Sequence, residues 1–323
     1  VHPVFHIGPI EFPAYFTMMT LAMVVGILLA WHRARQMGID ANRLLDFGLI
    51  MVTLGVIGSR LLHVVAEGYF WDYVHLCTAP LLVEGERLAS GLACISDAEC
   101  SALNLGGLCD LQLGTCHPAR DCLRIFKVWY GGFALYGGIL FCIPFGIWYT
   151  LKHKMGVWRV ADIAGFILPL SVGIGRLGCW FGGCCYGGVC DPDVGVTFAR
   201  GSLAYSRQLE AGLINADALT SLPVHPAQLW SSGINLVIFA VTYFVIFPRR
   251  KAHGETFWWY LLLYGCARFS LEFLRGDTHD WHLSLSQLIA LPVIAVGVWM
   301  LRRSRRKYPL AEYPLSEPTG RWV

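Results

Sequence analysis

Apolar runs of membrane-spanning length recur along the chain, at Tyr15 to Trp31, Phe47 to Ala66, Trp129 to Leu151, Val160 to Gly178, Leu229 to Phe247, Phe257 to Phe273 and Leu285 to Leu301. About 20 mostly apolar residues of helix cross a bilayer core, and a helix satisfies every backbone polar group within its own segment. The pattern predicts an all-α polytopic membrane protein with about seven transmembrane helices. Basic residues fall in every second connection: Arg33, Arg35 and Arg43, then Lys152, Lys154 and Arg159, then Arg249, Arg250 and Lys251, then Arg302, Arg303, Arg305, Arg306 and Lys307. Short cytoplasmic loops are enriched in Lys and Arg, so the predicted N-terminus is outside and the C-terminus inside. Residues before Tyr15, bracketed by Pro3, Pro9 and Pro13, read as an outer interfacial segment and lack the positive n-region of a cleavable signal. The expected divisions are 1–71 (outer segment and spans one and two), 72–127 (a polar, cysteine-rich extracytoplasmic insertion), 128–178 (spans three and four), 179–228 (an extracytoplasmic head), 229–302 (spans five to seven) and 303–323 (a cytoplasmic tail).

Composition agrees with that pattern, since 55% of the 323 residues are hydrophobic and only 15% are charged, which excludes an ordinary soluble enzyme. The net charge of +3 is accounted for by the inside clusters and points to no nucleic acid. The C-terminal basic run is a topology anchor near anionic lipid headgroups. In the 72–127 insertion, Cys77, Cys94, Cys100, Cys109, Cys116 and Cys122 make an even set in a loop predicted to face an oxidising compartment. Disulfides are expected, with 15 connectivities open to six cysteines. Zinc is the weaker reading because the loop contains no C-x-x-C pair.

Chemistry concentrates in Gly173 to Gly187, G-I-G-R-L-G-C-W-F-G-G-C-C-Y-G. An arginine at the end of an apolar run is costly unless it faces a cavity, a partner or an anionic ligand. Glycines such as Gly175, Gly178 and Gly187 admit close approach of a backbone or a ligand, although a small-residue helix-packing face is the simpler role for them. The sixth span ends R-F-S-L-E-F-L-R-G-D, where Arg268, Glu272 and Arg275 lie near one helix face, so Glu272 can pair with either arginine and leave positive charge over. Arg60, near the outer end of span two, either snorkels to headgroups or holds an anionic one. Tyr136 is either an aromatic-belt residue or a hydrogen-bond donor to substrate. His225 and Gln228 open the fifth span at H-P-A-Q-L-W. Arginines at one membrane depth, with histidine, tyrosine and glutamine on adjoining spans, suggest a pocket for a phosphate-bearing lipid. Cys179, Cys184, Cys185 and Cys190 leave a thiol-redox or metal-handling protein as the alternative.

Several of these motifs in one order resemble the phosphatidylglycerol:prolipoprotein diacylglyceryl transferases of bacteria: G-R-L-G followed by Tyr186-Gly187, H-P-A-Q-L, R-F-x-x-E-F-x-R, G-x-x-G-x-R around Arg60, W-x-G-G ahead of Tyr136, and S-Q at Ser286 and Gln287. The resemblance implies a multi-pass protein of the bacterial inner membrane, with its active site towards the extracytoplasmic side. It implies transfer of diacylglyceryl from phosphatidylglycerol to the lipobox cysteine of a preprolipoprotein signal peptide, without a metal or cofactor. The implied catalytic residues are Arg176, Arg268, Tyr136 and His225. Implied substrate contacts come from Tyr15, Arg60, Gly137, Gly138, Gly175, Gly178, Tyr186, Gly187, Gln228, Glu272 and Arg275. The chain departs from the family at the site itself. Tyr136 stands where the family has His, Cys179 and Cys184 replace an Asn and a Glu, and Trp230 and Ser231 also differ. The cysteine-rich insertion is not a usual family feature, and a paralogue using the same lipid donor with another acceptor is the alternative within the enzyme class.

Overall fold

The computed structural model describes residues 4–7, 10–66, 68–87, 93–102, 106–127, 132–200, 202–215, 217–273 and 283–310. Two compact units are formed, one from Val1–Leu49 with Ile147–Val323 and the other from Ile50–Gly146.

Helices dominate both. Six described helices are long and apolar enough to cross a membrane: α1 (Ala14–Gln36), α2 (Ala41–Ala66), α5 (Leu135–Lys152), α6 (Val157–Gly182), the run Ala227–Arg249, and Ser286–Lys307 within α11 (Leu285–Lys307). The remaining expected span is α10 (Glu255–Glu272), a helix of the right length that is not among the six because Glu255, Arg268 and Glu272 all fall within its 18 residues. The third span starts at Leu135 rather than Trp129; residues 128–131 lie outside the described set. Ala227–Arg249 is composite, with α8 (Ala227–Ala240), a π-helical turn at Val241–Ile246 and α9 (Phe247–Arg249). The segment expected at the outer interface is an antiparallel hairpin of β1 (Val4–Ile7) and β2 (Ile10–Pro13), pairing Phe5 with Phe12.

In the first unit α6 is the hub. Lipid gives helices no hydrophobic reason to associate, so close packing and interhelical hydrogen bonds must do it. A side chain at Gly165 would lie 2.6 Å from the Phe257 backbone nitrogen, so α10 crosses α6 at backbone contact. On another face Gly178 abuts the Tyr15 backbone of α1, and Ser171 Oγ donates to the Ala22 carbonyl at 3.2 Å. A third face meets α8, where Ser232 Oγ donates to the Gly173 carbonyl at 2.8 Å. The expected head between α6 and α8 is built on α7 (Leu203–Glu210) and on bridges from Val224 to Val189 and Val196, over a core of Phe198, Ala204 and Val224.

The second unit packs the later part of α2 on the start of α5. A side chain at Gly137 would sit 2.1 Å from the Gly58 carbonyl oxygen, so this pair of glycines sets the contact. The insertion then forms α3 (Phe70–Thr78), α4 (Asp97–Ala102) and a small antiparallel sheet in the order β3 (Glu86–Arg87), β5 (Thr115–His117), β4 (Leu108–Asp110). All six of its cysteines are bridged, as Cys77–Cys122, Cys94–Cys109 and Cys100–Cys116. Three bridges give this small polar lobe a covalent frame in place of a large apolar core.

Candidate active site

Arg176 and Arg268, on α6 and α10, line one cavity together with Cys185, Ala227, Ser231, Asn235, Tyr264, Ala267 and Leu271. This convergence is the central geometric result, because the two arginines are 92 positions apart in the sequence. The cavity holds about 20 Å³, room for about one water.

The two arginines differ in how they are held. Arg268 Nη1 lies 2.8 Å from Glu272 Oε2, one helical turn on, and Nη2 donates to Ser286 Oγ at 2.9 Å. The Glu272 contact is an ion pair by distance whose angle falls short of a hydrogen bond. Ser286 is placed by a capping box at the start of α11. There Gln287 N donates to Ser284 Oγ and Ser284 N donates to Gln287 Oε1. Gln287 also donates to the Phe269 carbonyl, tying α11 to the turn that carries Arg268. Arg176 has no hydrogen-bond or ion-pair partner among the described residues. Net charge at the pair is therefore one positive unit, since Glu272 offsets Arg268 and nothing described offsets Arg176.

The polar stripe on α8 completes the wall. Asn235 Nδ2 donates to the Ser231 carbonyl and Gln228 Nε2 to the Cys184 carbonyl, each at 2.8 Å, while Asn235 Oδ1 and Gln228 Oε1 are buried without a partner among the described residues. Ser231 and Asn235 were missed as cavity residues in the sequence. Gln228, Ser231 and Asn235 recur at i, i+3 and i+7 in an otherwise apolar helix, a spacing that signals one polar face.

The chain leaves α6 through Gly183, which is left-handed at φ 65°. Gly183 N bonds the Trp180 carbonyl and Cys184 N the Cys179 carbonyl, the usual way a glycine stops a helix. Cys185 is then also left-handed, at φ 59°. The reversal folds Cys184 and Cys185 back over the helix end, so that the Sγ atoms of Cys179, Cys184 and Cys185 all lie within 4.8 Å of one another. Hydrogen bonding to the Cys179 and Cys185 sulfurs, with burial, pushes the Cys184 thiol well up from its ordinary value.

Other expected residues take various places. Tyr15 packs beside Gly178 and Gly182, at the Arg176 end of α6, and Gly175 meets Met19 of α1. Gly187 N donates to the His225 carbonyl at 2.9 Å and His225 N to the Gly188 carbonyl at 3.0 Å, which fixes the entry into α8. The Tyr186 ring packs on Phe198 in the head. Arg60, Tyr136, Gly137 and Gly138 belong to the second unit. Arg60 is only 6% exposed and does not snorkel. It donates to the carbonyls of Arg124, Ile125 and Gly132 at 2.9 to 3.1 Å, and Tyr73 and Phe133 face its guanidinium. Tyr136 is 55% exposed, with its hydroxyl unpartnered among the described residues. Gly138 abuts Ser59, so the Gly137-Gly138 pair packs α5 against α2. Arg275 lies outside the described residues.

With the site described, comparison with known proteins is direct. A family model, prolipoprotein diacylglyceryl transferase, matches residues 2–94 and 113–303. A phosphatidylglycerol–prolipoprotein diacylglyceryl transferase of Stenotrophomonas maltophilia is 34% identical over 197 residues, 57% of this chain and 65% of its own length. The protein of that name from Xanthomonas oryzae pv. oryzae is 32% identical over 208 residues, 61% of this chain and 69% of its own. The similarity thus spans about two thirds of these relatives. The family match skips residues 95–112, within the disulfide-bridged lobe.

Proposed function

The chain belongs to the prolipoprotein diacylglyceryl transferase family, and from that premise we propose that it transfers a diacylglyceryl group from phosphatidylglycerol to the lipobox cysteine of a preprolipoprotein. The observation that carries this reading is the meeting of Arg176 and Arg268 at one cavity with a surplus positive charge. A phosphodiester carries one negative charge and matches that surplus.

In the proposed reaction the acceptor thiol loses its proton and its sulfur attacks the glycerol carbon bearing the phosphate. A C–S bond forms, the C–O bond to phosphate breaks, and glycerol phosphate leaves with its second negative charge developing. Arg176, with no internal partner among the described residues, is free to follow that charge. Arg268, aimed by Glu272 and Ser286, supplies preorganised donors. Each charge-assisted hydrogen bond is worth about 1.5 to 3 kcal/mol. His225, two residues before cavity-lining Ala227, is the proposed proton acceptor. Tyr136 offers an unpartnered hydroxyl for hydrogen bonding to substrate. Arg60 acts as a positioning residue through the carbonyls it gathers. Tyr15, Gly175 and Gly178 pack α1 on α6, Gly187 and Gln228 tie the loop after α6 to α8, and Tyr186 packs in the head, so these residues support the cavity lining from behind, while Gly137 and Gly138 pack α5 on α2 beside Tyr136. Because the cavity is no larger than about one water, a lipid phosphate enters only as lining side chains move aside. The alternation of basic connections supports a site towards the extracytoplasmic face of the bacterial inner membrane.

The test supplies purified, folded protein with labelled phosphatidylglycerol vesicles and a peptide carrying a lipobox cysteine. A thioether-linked diacylglyceryl peptide and released glycerol phosphate are expected. Transfer to a different acceptor in membrane extracts, with none to the peptide, would replace this reading with that of a paralogue.

A further inference from the structure

The three-thiol cluster at the end of α6 does no work in the proposed transfer. We infer that Cys179, Cys184 and Cys185 form a binding site for a thiophilic closed-shell metal ion, Cu(I) or Zn(II), at the wall of the Arg176 cavity.

Two observations converge on it. The three Sγ atoms lie within 4.8 Å of one another. Ligands on a metal at about 2.3 Å are separated by about 3.8 Å, so small side-chain rotations close the set around one ion. Second, the backbone is bent to make the cluster. Gly183 and Cys185 are both left-handed, and for a cysteine that conformation is uncommon; such strained backbone gathers at ligand sites. Soft sulfur ligands select Cu(I) and Zn(II) over magnesium or calcium. Binding replaces three S–H bonds with three metal–sulfur bonds and releases three protons to solvent, with no change of oxidation state. Zn(II) would keep a water in a fourth position, whereas Cu(I) is satisfied by three sulfurs. A disulfide within the cluster would use two of the sulfurs and abolish the site.

Metal content is the readout, so the inference stands or falls separately from the transferase reading. Detergent-purified full chain is held under ascorbate, which keeps copper monovalent and spares the disulfides of the lobe. It is equilibrated with chelator-buffered Cu(I) or, in a parallel arm, Zn(II). One ion per chain is expected in the arm that identifies the metal. Binding should fall to background in the Cys184→Ser/Cys185→Ser double variant and persist in Cys142→Ser/Cys190→Ser/Cys266→Ser. If the double variant does not fold, Cys184→Ser alone should weaken binding about tenfold or more. Equal metal content in wild type and the cluster variants overturns the proposal. So does an intact Cys179–Cys184 disulfide found by alkylation and mass spectrometry of the ascorbate-treated chain.

Discussion

The two ends of α6 hold charge in opposite ways. Asp162, near its start, is fully buried; its oxygens accept the Thr256 and Gly254 backbone N–H groups at 2.9 Å each, and Arg250 Nε lies 3.4 Å away. Nearby, Arg159 donates to the Met37 carbonyl, and Glu255 accepts the Lys251 N–H and pairs with Arg305. About 21 Å further along the helix, by its rise per residue, Arg176 faces a cavity with no described partner, beside the buried and likewise unpartnered amide oxygen of Asn235. Taking an ion out of water costs several kcal/mol when it is fully buried, as Asp162 is, and less when it is half-buried, as Arg176 is. At the Asp162 end the cost is offset inside the protein, and the result is rigidity. At the Arg176 end the offset is left to a ligand, and the result is a site.

The contrast breaks most readily at Asp162. Asp162→Ala strands Arg250 and two backbone donors and should destabilise the protein by about 3 to 5 kcal/mol, seen as a lower unfolding midpoint in detergent, while transfer per folded molecule is kept. Unchanged stability would show that the Asp162 end is not the anchor described. Arg176→Lys should do the reverse. The ammonium keeps the charge and loses the planar fork, so transfer should fall roughly tenfold to a hundredfold, with the unfolding midpoint moved little. If the midpoint dropped and turnover per folded molecule did not, Arg176 would be a packing residue. The smallest effect is expected at Ser286→Ala, which releases one donor of Arg268. A hydrogen bond of about 1 kcal/mol corresponds to roughly fivefold in rate, measured in the same transfer assay. No effect would mean that Glu272 alone aims Arg268.

Much of the anchoring frame was legible in the chain because a membrane helix announces itself locally, by an uninterrupted apolar run. α1, α2 and α6 each cover the expected run and extend past it by no more than two turns at either end for that reason. α10 was harder, since two of the three charges that disqualify it by hydropathy, Arg268 and Glu272, are those that serve the cavity. That Arg176 and Arg268 carry chemistry was also legible, each being anomalous in its own segment. Their meeting, and the carbonyl-bound state of Arg60, depend on tertiary packing and loop geometry that no local pattern encodes. Asp162 left a signal that the sequence reading passed over, an acid within V-A-D-I-A-G with basic residues in the loop at Arg249 to Lys251. The disulfide pairing lay beyond reach in principle, because spacing alone does not choose among the connectivities.

The lobe bears on how such proteins acquire new parts. The family match breaks off at residue 94 and resumes at 113, and Cys94 N hydrogen-bonds the Gly114 carbonyl at 3.3 Å. Gly114 is left-handed there, and any side chain on it would collide with Ala93. Residues 95–112 therefore leave and rejoin the family-matched chain at nearly the same point, like a stem closed at its base. The closed base lets the segment be lengthened without re-spacing the flanking chain, and a domain grafted there must keep Cys100 and Cys109, the partners of Cys116 and Cys94 outside it.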